Sequence, residues 1–588
     1  MSSNKTKKLI NNVHECERQS NEGMVAVNPG MSLVDGYTVV VRTDAPQYLS
    51  ENKVIVISGG GSGHEPGHAG FVAKGMLTAA ACGSVFASPP PLCIMAAINA
   101  VCQQKTGCDI IMVVTNYTGD RLNFGIACER ARVKGHNVEM VVVGEDCALD
   151  SVDHSAGRRG LAGTIFIHKI AGAMAEMGKS FSDMVAYLNT VKSKMGTIGL
   201  CLSPCSVPGS APTFTLGNDE MELGLGIHGE AGIKRIKVQT AKEAVKTMMD
   251  HMTNKQSSTH IDIESGDRVA LMINNLGGTS VLELNLVAKE AISYLESKGV
   301  SIDRAYCGSF LTSLEMAGVS ISVLHVDDTV LEYLDLPTAS PVWRPPYMAP
   351  GQKFRKTPGL VTVPTEDKIV FDETAAKLDS GTAGLVFKAL QSACEKLLAM
   401  EEELNDLDKQ SGDSDTGSTL GAGAKAILEK LGPASAPTLP VDCPHTLALT
   451  LGQITETKMG GSSGALYSLF FTGAAQELKT TTKESLSAAL SSGLQAIMKY
   501  GGAKPGYRTM VDPLHAAVQS MTDAKNSSLS VIESLKKAAE AATKAAAATK
   551  DMDAQAGRAS YVNKSLLDKP DPGALAVASW MTAAVNTL

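Results

Sequence analysis

Residues 54–68 read Val54-Ile55-Val56-Ile57-Ser58-Gly59-Gly60-Gly61-Ser62-Gly63-His64-Glu65-Pro66-Gly67-His68, and they decide how the chain is read. Four β-branched residues make a strand, and a glycine cluster follows it. A glycine loop after a strand lets backbone N–H groups approach an anion or a small polar molecule. A tight strand-to-helix turn is the plainer alternative. The string is too long and too glycine-rich for a turn alone. Its spacing, Gly61-x-Gly63-x-x-x-Gly67, is one residue too long for a dinucleotide fingerprint.

The same pattern recurs outward from this stretch. The run 110–114 (IIMVV) leads into Asn116-Tyr117-Thr118-Gly119-Asp120, and 138–143 (VEMVVV) leads into Gly-Glu-Asp. Helical stretches lie between them, which predicts α/β layers on a largely parallel sheet. Ligands of parallel sheets bind at the carboxyl ends of the strands. Asp120 is therefore placed to meet the 58–66 loop, and a carboxylate beside a histidine is an acid/base pair. A second α/β unit is expected from about residue 195, with strands at 269–273 and 321–326 and a helix over 281–298. Residues 1–335 thus read as two α/β subdomains, about 1–194 and 195–335.

Residues 336–368 hold seven prolines and little periodicity, the mark of an extended linker. Trp343 within it suggests that the linker docks on a surface. From 369 to 588 the strands stop, and alanine-rich helical spacing predicts an all-α bundle of roughly eight helices.

The chain has 588 residues, enough for about four compact units at roughly 150 residues each. Its net charge of −8 and 4% aromatic content oppose a general nucleic-acid binder. The start lacks a secretory apolar region, and no apolar run is long enough to span a membrane. Twelve cysteines without a CxxC pair read as reduced thiols of a cytosolic protein. The sequon at Asn116 needs secretion and is discounted.

Two nucleotide motifs fail on inspection. Gly224-x-Gly226-x-x-Gly229 follows a polar stretch rather than a strand. His228 inside it, taken by itself, is a loop histidine with satisfied hydrogen bonds rather than a reactive group. Residues 172–180 put five residues between glycines where a Walker loop needs four, so any ATP is handled without a P-loop.

The helical half carries Asp408 and then Gly412-Asp413-Ser414-Asp415-Thr416-Gly417. Three carboxylates so spaced repel unless a cation gathers them, and hard oxygen donors suit Mg2+ held with phosphate oxygens. A calcium loop is excluded, because Gly417 and Ala424 stand at its fifth and twelfth positions; a solvated acidic loop is the plainer alternative. Lys458-Met459-Gly460-Gly461-Ser462-Ser463-Gly464 opens a helix, whose N-terminus attracts anions. Arg558 offers a guanidinium to phosphate. Asp571-Pro572-Gly573 opens the last helix.

Taken together and in order, these strings resemble the dihydroxyacetone kinase family over nearly the whole chain. SGGGSGHEP, NYTGDRLNF, GRRGLAGT, GLGIHGE and NNLGG resemble its substrate domain. LNDLD with GDSDTG, KMGGSSGALY, GRASY and DPGA resemble its ATP domain. The resemblance implies that His228 forms a covalent hemiaminal with the substrate carbonyl, which reverses the plain reading of that residue. It implies Asp120 as base with His64 as partner, and substrate contacts from Gly61, Ser62 and Gly63. Asp408, Asp413 and Asp415 would hold Mg2+. Thr416, Gly417, Ser418, Thr419, Gly460, Gly461, Ser462, Ser463, Arg508, Met510, Arg558, Asp571, Pro572 and Gly573 would position ATP.

Two activities are implied. One is phosphorylation of dihydroxyacetone and glyceraldehyde; the other is cleavage of FAD to AMP and cyclic FMN with Mn2+ or Co2+. A homodimer, swapped or not, is implied too, as is contact with an innate-immune RNA-sensor protein. The family's GDGD reads Gly412-Asp413-Ser414-Asp415 here, and its GDRTM reads Gly506-Tyr507-Arg508-Thr509-Met510. Both departures bear on nucleotide affinity. A carbonyl-ligand regulator acting through protein partners is the alternative, opposed by the three intact aspartates. A lipid-phosphate role, as in fatty-acid kinases, is opposed by the fused carbonyl-binding half.

Overall fold

The computed structural model describes residues 6–149, 157–363, 371–410, 412–525, 527–563 and 567–588. The chain forms two compact units, Met1–Leu360 and Val361–Leu588. The boundary expected at 368/369 lies outside the described residues.

The first unit holds two six-stranded sheets. One contains β1 (Met31–Leu33), β2 (Val39–Arg42), β3 (Ile55–Ser62), β4 (Ala79–Val85), β5 (Asp109–Thr115) and β6 (Asn137–Val143), in the order β1-β2-β4-β3-β5-β6. Its centre, β4-β3-β5-β6, is parallel, while β1 and β2 add antiparallel strands at one edge. The other sheet contains β7 (Met195–Cys201), β8 (Glu220–Leu223), β9 (Lys234–Lys237), β10 (Arg268–Asn275), β11 (Ser301–Gly308) and β12 (Gly318–His325), in the order β11-β10-β12-β7-β8-β9. Only β10 and β11 pair in parallel there. The largely parallel sheet expected around 54–57, 110–114 and 138–143 is the middle of the first sheet; the residue pattern sets no direction for the second, which is mostly antiparallel. Short apolar runs carry no strand direction; the connections set it.

The strand that opened the reading is longer than expected. β3 runs through Ser58–Ser62, so the first glycines are strand and not loop. A Cβ on Gly59 would lie 2.1 Å from the Ala81 carbonyl oxygen, and one on Gly61 2.7 Å from the Ala87 nitrogen. The glycines let β4 and the turn after it close onto β3 at a distance no side chain permits.

Part of the expected linker belongs to this unit. Trp343 is 3% exposed, with its ring centroid 4.6 Å from that of Tyr306 and 6.5 Å from that of Phe166. Burying an aromatic of this size is worth roughly 1.5–3 kcal/mol. Arg355 continues the attachment, donating to the Ile302 carbonyl and pairing with Glu296 at 2.5 Å.

The second unit contains nine α-helices among its described residues, from Ser380–Ala399 to Pro572–Val585. Ser530 and Thr482 cap two of them with reciprocal side-chain bonds, which fixes where those helices start. Buried alanines on Val531–Ala548, such as Ala538 and Ala542, allow close helix approach.

Candidate functional sites

The first site sits at the carboxyl ends of the parallel strands. His64 follows β3. Asp120 lies in the first turn of helix Thr118–Val133, just after β5. Glu145 and Asp146 follow β6, and His228 sits in the turn after β8. His64, Asp120, Glu145 and Asp146 are buried, His64 to 2% exposure, and His228 is half-buried.

His228 is enclosed by rings. Its centroid lies 4.9 Å from His64, 4.5 Å from Tyr117 and 5.6 Å from Phe86, each approached edge-on. Its backbone N–H donates to Glu230 Oε2 at 2.8 Å. Burial, reinforced by the Arg159 charge, pushes the imidazole down to about 4, so it is neutral at pH 7. His64 stacks on Phe86 at 5.0 Å. Its Nδ1 lies 2.8 Å from the Thr312 carbonyl, which can only accept, so Nδ1 carries the proton. Nε2 is left as a buried lone pair with no hydrogen-bond partner among the described residues. Burial and the neighbouring His228 push His64 down to about 3.

Asp120 accepts from Thr115 Oγ1 at 3.3 Å, and its Oδ1 is buried without a hydrogen bond among the described residues. Burial raises it to about 6, against the nearby Ser88 and Thr115 hydroxyls, which hold it down. Asp120 is thus ionised at pH 7 yet basic enough to take a proton.

The glycine strand contributes less freely than the sequence suggests. The Ser62 hydroxyl donates to the Gly83 carbonyl at 2.7 Å, and the Gly63 N–H donates to the Glu65 carboxylate at 3.0 Å. Both donors are occupied within the protein. Gly61 and Ser62 also line a cavity of about 360 Å³ bounded by Asn21, Met24, His68 and Val342.

Arg159, Tyr117, Phe86, Ser88 and Thr312 were not singled out from sequence. The signal for Arg159 was visible as two arginines between glycines at 157–160. The others act through ring packing and backbone placement, which spacing does not reveal.

The second site lies in the helical unit. Helix Glu401–Asp408 ends on Asp408, and helix Thr416–Leu431 starts after Asp415. Oxygens of Asp408, Asp413 and Asp415 lie within 4.8 Å of one another. Asp408 is buried, and its Oδ2 accepts the backbone N–H of Asp415 at 3.1 Å and of Thr416 at 3.3 Å. A Cβ on Gly412 would lie 2.3 Å from Asp408 Oδ1, so the turn closes only with glycine there. Ser414 stands where φ is +64°, left-handed backbone that suits glycine. Burial and the neighbouring Asp413 raise Asp415, whereas the Arg558 guanidinium holds Asp413 down. Arg558, expected to face phosphate, is paired with Asp413 here. Three carboxylates at this separation, one anchored by backbone amides, fit a hard divalent cation.

Around them, helix Gly461–Ala475 begins at Gly460 and Gly461, both at positive φ, with Ser462 and Ser463 in its first turn. The Ser418 hydroxyl donates to Glu401 at 3.0 Å, and a Cβ on Gly417 would meet the Glu401 carbonyl at 2.0 Å. The Thr419 N–H bonds the Asp415 carbonyl in the first helical turn. Arg508 is 2% exposed at φ +61°. Its Nη2 donates to the Lys569 carbonyl at 2.8 Å, while Nε and Nη1 have no partner among the described residues. Met510 stands at the N-terminal boundary of the helix that follows, with no side-chain capping bond. Asp571 caps the last helix by accepting from Ala574 N at 2.8 Å, ahead of Pro572 and Gly573; burial lifts its carboxyl to about 6.

Two domain models match the chain, a Dak1 domain over residues 22–342 and a DAK2 domain over 410–586. The chain is 47% identical over 585 residues to human triokinase/FMN cyclase, covering 99% of each. The crystal structure of Citrobacter freundii dihydroxyacetone kinase in complex with AMP-PNP and Mg2+ matches with a TM-score of 0.66 and 34% identity. It covers 99% of this chain and 100% of that one. The dihydroxyacetone kinase operon co-activator DhaQ matches 57% of this chain and 99% of its own, at 29% identity and a TM-score of 0.51. Two units of this architecture, both domain models and near full-length identity to these kinases place the chain in the dihydroxyacetone kinase family.

Proposed function

We propose that this chain is an ATP-dependent kinase of dihydroxyacetone and glyceraldehyde, and also an FAD-AMP lyase that releases AMP and riboflavin cyclic 4',5'-phosphate. The observation that carries the kinase reading is His228: a half-buried imidazole pushed down to about 4 and enclosed edge-on by His64, Tyr117 and Phe86. The second activity is supported by the curated human relative.

A neutral ring nitrogen of His228 bonds to the carbonyl carbon. The C=O π pair moves onto oxygen, and the proton of the ring's other nitrogen ends on that oxygen. The substrate is then fixed as a hemiaminal with its terminal hydroxyl held in place. Asp120 takes the hydroxyl proton as that oxygen accepts the γ-phosphoryl group and ADP leaves. The lone pair on His64 Nε2 can accept a hydrogen bond from the substrate. Gly61, Ser62 and Gly63 wall the site with backbone.

Asp408, Asp413 and Asp415 would hold Mg2+, which supplies charge neutralisation at the phosphates. The helix start at Gly460–Ser463, the buried Arg508 and the turn at 571–573 surround the nucleotide in this reading. Arg558 exchanges Asp413 for phosphate. The FAD cleavage uses the helical unit alone, with Mn2+ or Co2+, because attack by the ribityl hydroxyl on phosphorus needs no carbonyl anchor.

A homodimer in the cytosol belongs to the same reading, supported for the compartment by twelve free cysteines. The alternative, a carbonyl-ligand regulator acting through protein partners, is favoured by the co-activator match but opposed by the intact aspartates.

The deciding experiment assays MgATP turnover on dihydroxyacetone, glyceraldehyde and glycerol, with FAD and Mn2+ in parallel. Turnover of the two carbonyl compounds with little on glycerol is expected. Equal turnover of glycerol would sink the hemiaminal.

A further inference from the structure

Arg159 ties together the elements that present His228. Its Nε donates to Asp146 Oδ2 at 2.6 Å, and its Nη2 donates to the Gly224 carbonyl at 2.7 Å. Its Nη1 lies 3.4 Å from Glu230 Oε1. Glu230 in turn accepts the His228 backbone N–H through Oε2. One guanidinium therefore grips the first and last residues of the turn 224–230 and anchors both to the carboxylate that follows β6. Gly226 makes room for this: a Cβ there would lie 1.7 Å from Glu230 Oε1 and 2.9 Å from Arg159 Nη1.

We propose that Arg159 is the positioning residue of the carbonyl site: it clamps the His228 turn at both ends and sets a positive charge beside the ring. Resting on His228 as the nucleophile, this assigns a role to a residue that does not touch the substrate. The planar fork of arginine suits three separate acceptors, which an ammonium cannot meet with the same geometry.

The ring meets His64 and Tyr117 edge-on, Glu230 accepts its backbone N–H and Arg159 stands beside it, while Glu145 and Asp146 after β6 act on Tyr117. Asp146 is 1% exposed on its side chain and paired to Arg159; Glu145 is bonded to the Leu161 N–H at 2.9 Å. Arg159 is the cation that presses on His228. Removing it raises the affinity of the ring for a proton twice over, because the cation is lost and the Asp146 carboxylate is bared.

The test follows the ring directly. Full-length protein labelled with 13C and 15N in histidine is titrated by NMR, with the His228 signal identified by its loss in His228→Gln. In Arg159→Met the midpoint should rise by about one pH unit. In Arg159→Lys the charge remains, so the midpoint should stay near the parent value. The lysine cannot hold the turn, so adduct formation with dihydroxyacetone labelled at its carbonyl carbon should weaken by at least tenfold. Should Arg159→Met fail to fold with Asp146 left bare, Arg159→Met/Asp146→Asn removes the stranded charge and should still raise the midpoint.

An unmoved midpoint in the folded methionine variants would overturn the charge role. Undiminished adduct formation in Arg159→Lys would overturn the clamp. Neither result touches the nucleophile assignment, which fails if His228→Gln still forms the adduct.

Discussion

The two sites solve the problem of holding charge in opposite ways. In the α/β unit, His64, Asp120 and His228 are enclosed, and burial is the largest influence on each of them. Two bases stay neutral and one carboxylate becomes a better base because water is kept out. In the helical unit, Asp413 and Asp415 are exposed; Arg558 holds Asp413 down, while burial and the neighbouring Asp413 raise Asp415. The first site is prepared before anything binds. The second gathers negative charge that a cation would neutralise. One is tuned by packing and the other by counter-charge, so they should fail in different ways.

The largest expected effects separate the units outright. His228→Ala should abolish kinase turnover and leave FAD cleavage intact, whereas Asp413→Ala should remove both, read in parallel assays on one preparation. Equal loss of both activities in His228→Ala would break the division. Next, Asp120→Asn should lower kinase kcat/KM by about 10²–10⁴-fold, the usual range for a lost general base, with FAD cleavage unchanged.

The pH dependence follows from the same carboxylate. Asp120 must be ionised to act, and burial holds it at about 6. Kinase kcat/KM should therefore be level above that pH and fall about tenfold per unit below it. A profile flat down to pH 5 would show that the site is wetter than its packing implies.

Smaller effects probe how each site is built. Gly61→Ala places a Cβ against the Ala87 nitrogen and the Phe86 backbone. It should destabilise the α/β unit by about 1–3 kcal/mol, as overpacking does, and depress the kinase alone. Ser414→Gly relieves left-handed strain in the metal turn and should stabilise the helical unit by about 0.5–1 kcal/mol in thermal unfolding. No gain would mean that the Ser414 side chain makes a compensating contact.

Much of this was legible in residue order. The two α/β sheets, the all-α half, the carboxylate cluster and the helix starts at Gly461 and Pro572 follow from apolar runs, alanine density and capping chemistry. Strand direction in the second sheet was not legible, because it depends on which connections cross and which turn back. Nor was the end of β3. The glycines after Ile57 look like a loop until Ala81 and Ala87 are seen packed against them. Trp343 marked the linker as docking on a surface, but which surface was not legible: its partners Tyr306, Phe166 and Phe310 come from distant segments.

The sequence by itself determined the two-part architecture, the family and the chemical groups at both sites, because local pattern and residue type are properties of the chain. Only the tertiary structure decided their state. It showed that His228 is neutral beneath three rings, that Ser62 and Gly63 have their donors occupied, that Arg558 rests on Asp413, and that Arg159 grips the His228 turn. Each of these depends on burial or on contact between residues far apart in sequence. Desolvation and Coulomb interaction act through space, and the order of residues does not record distance.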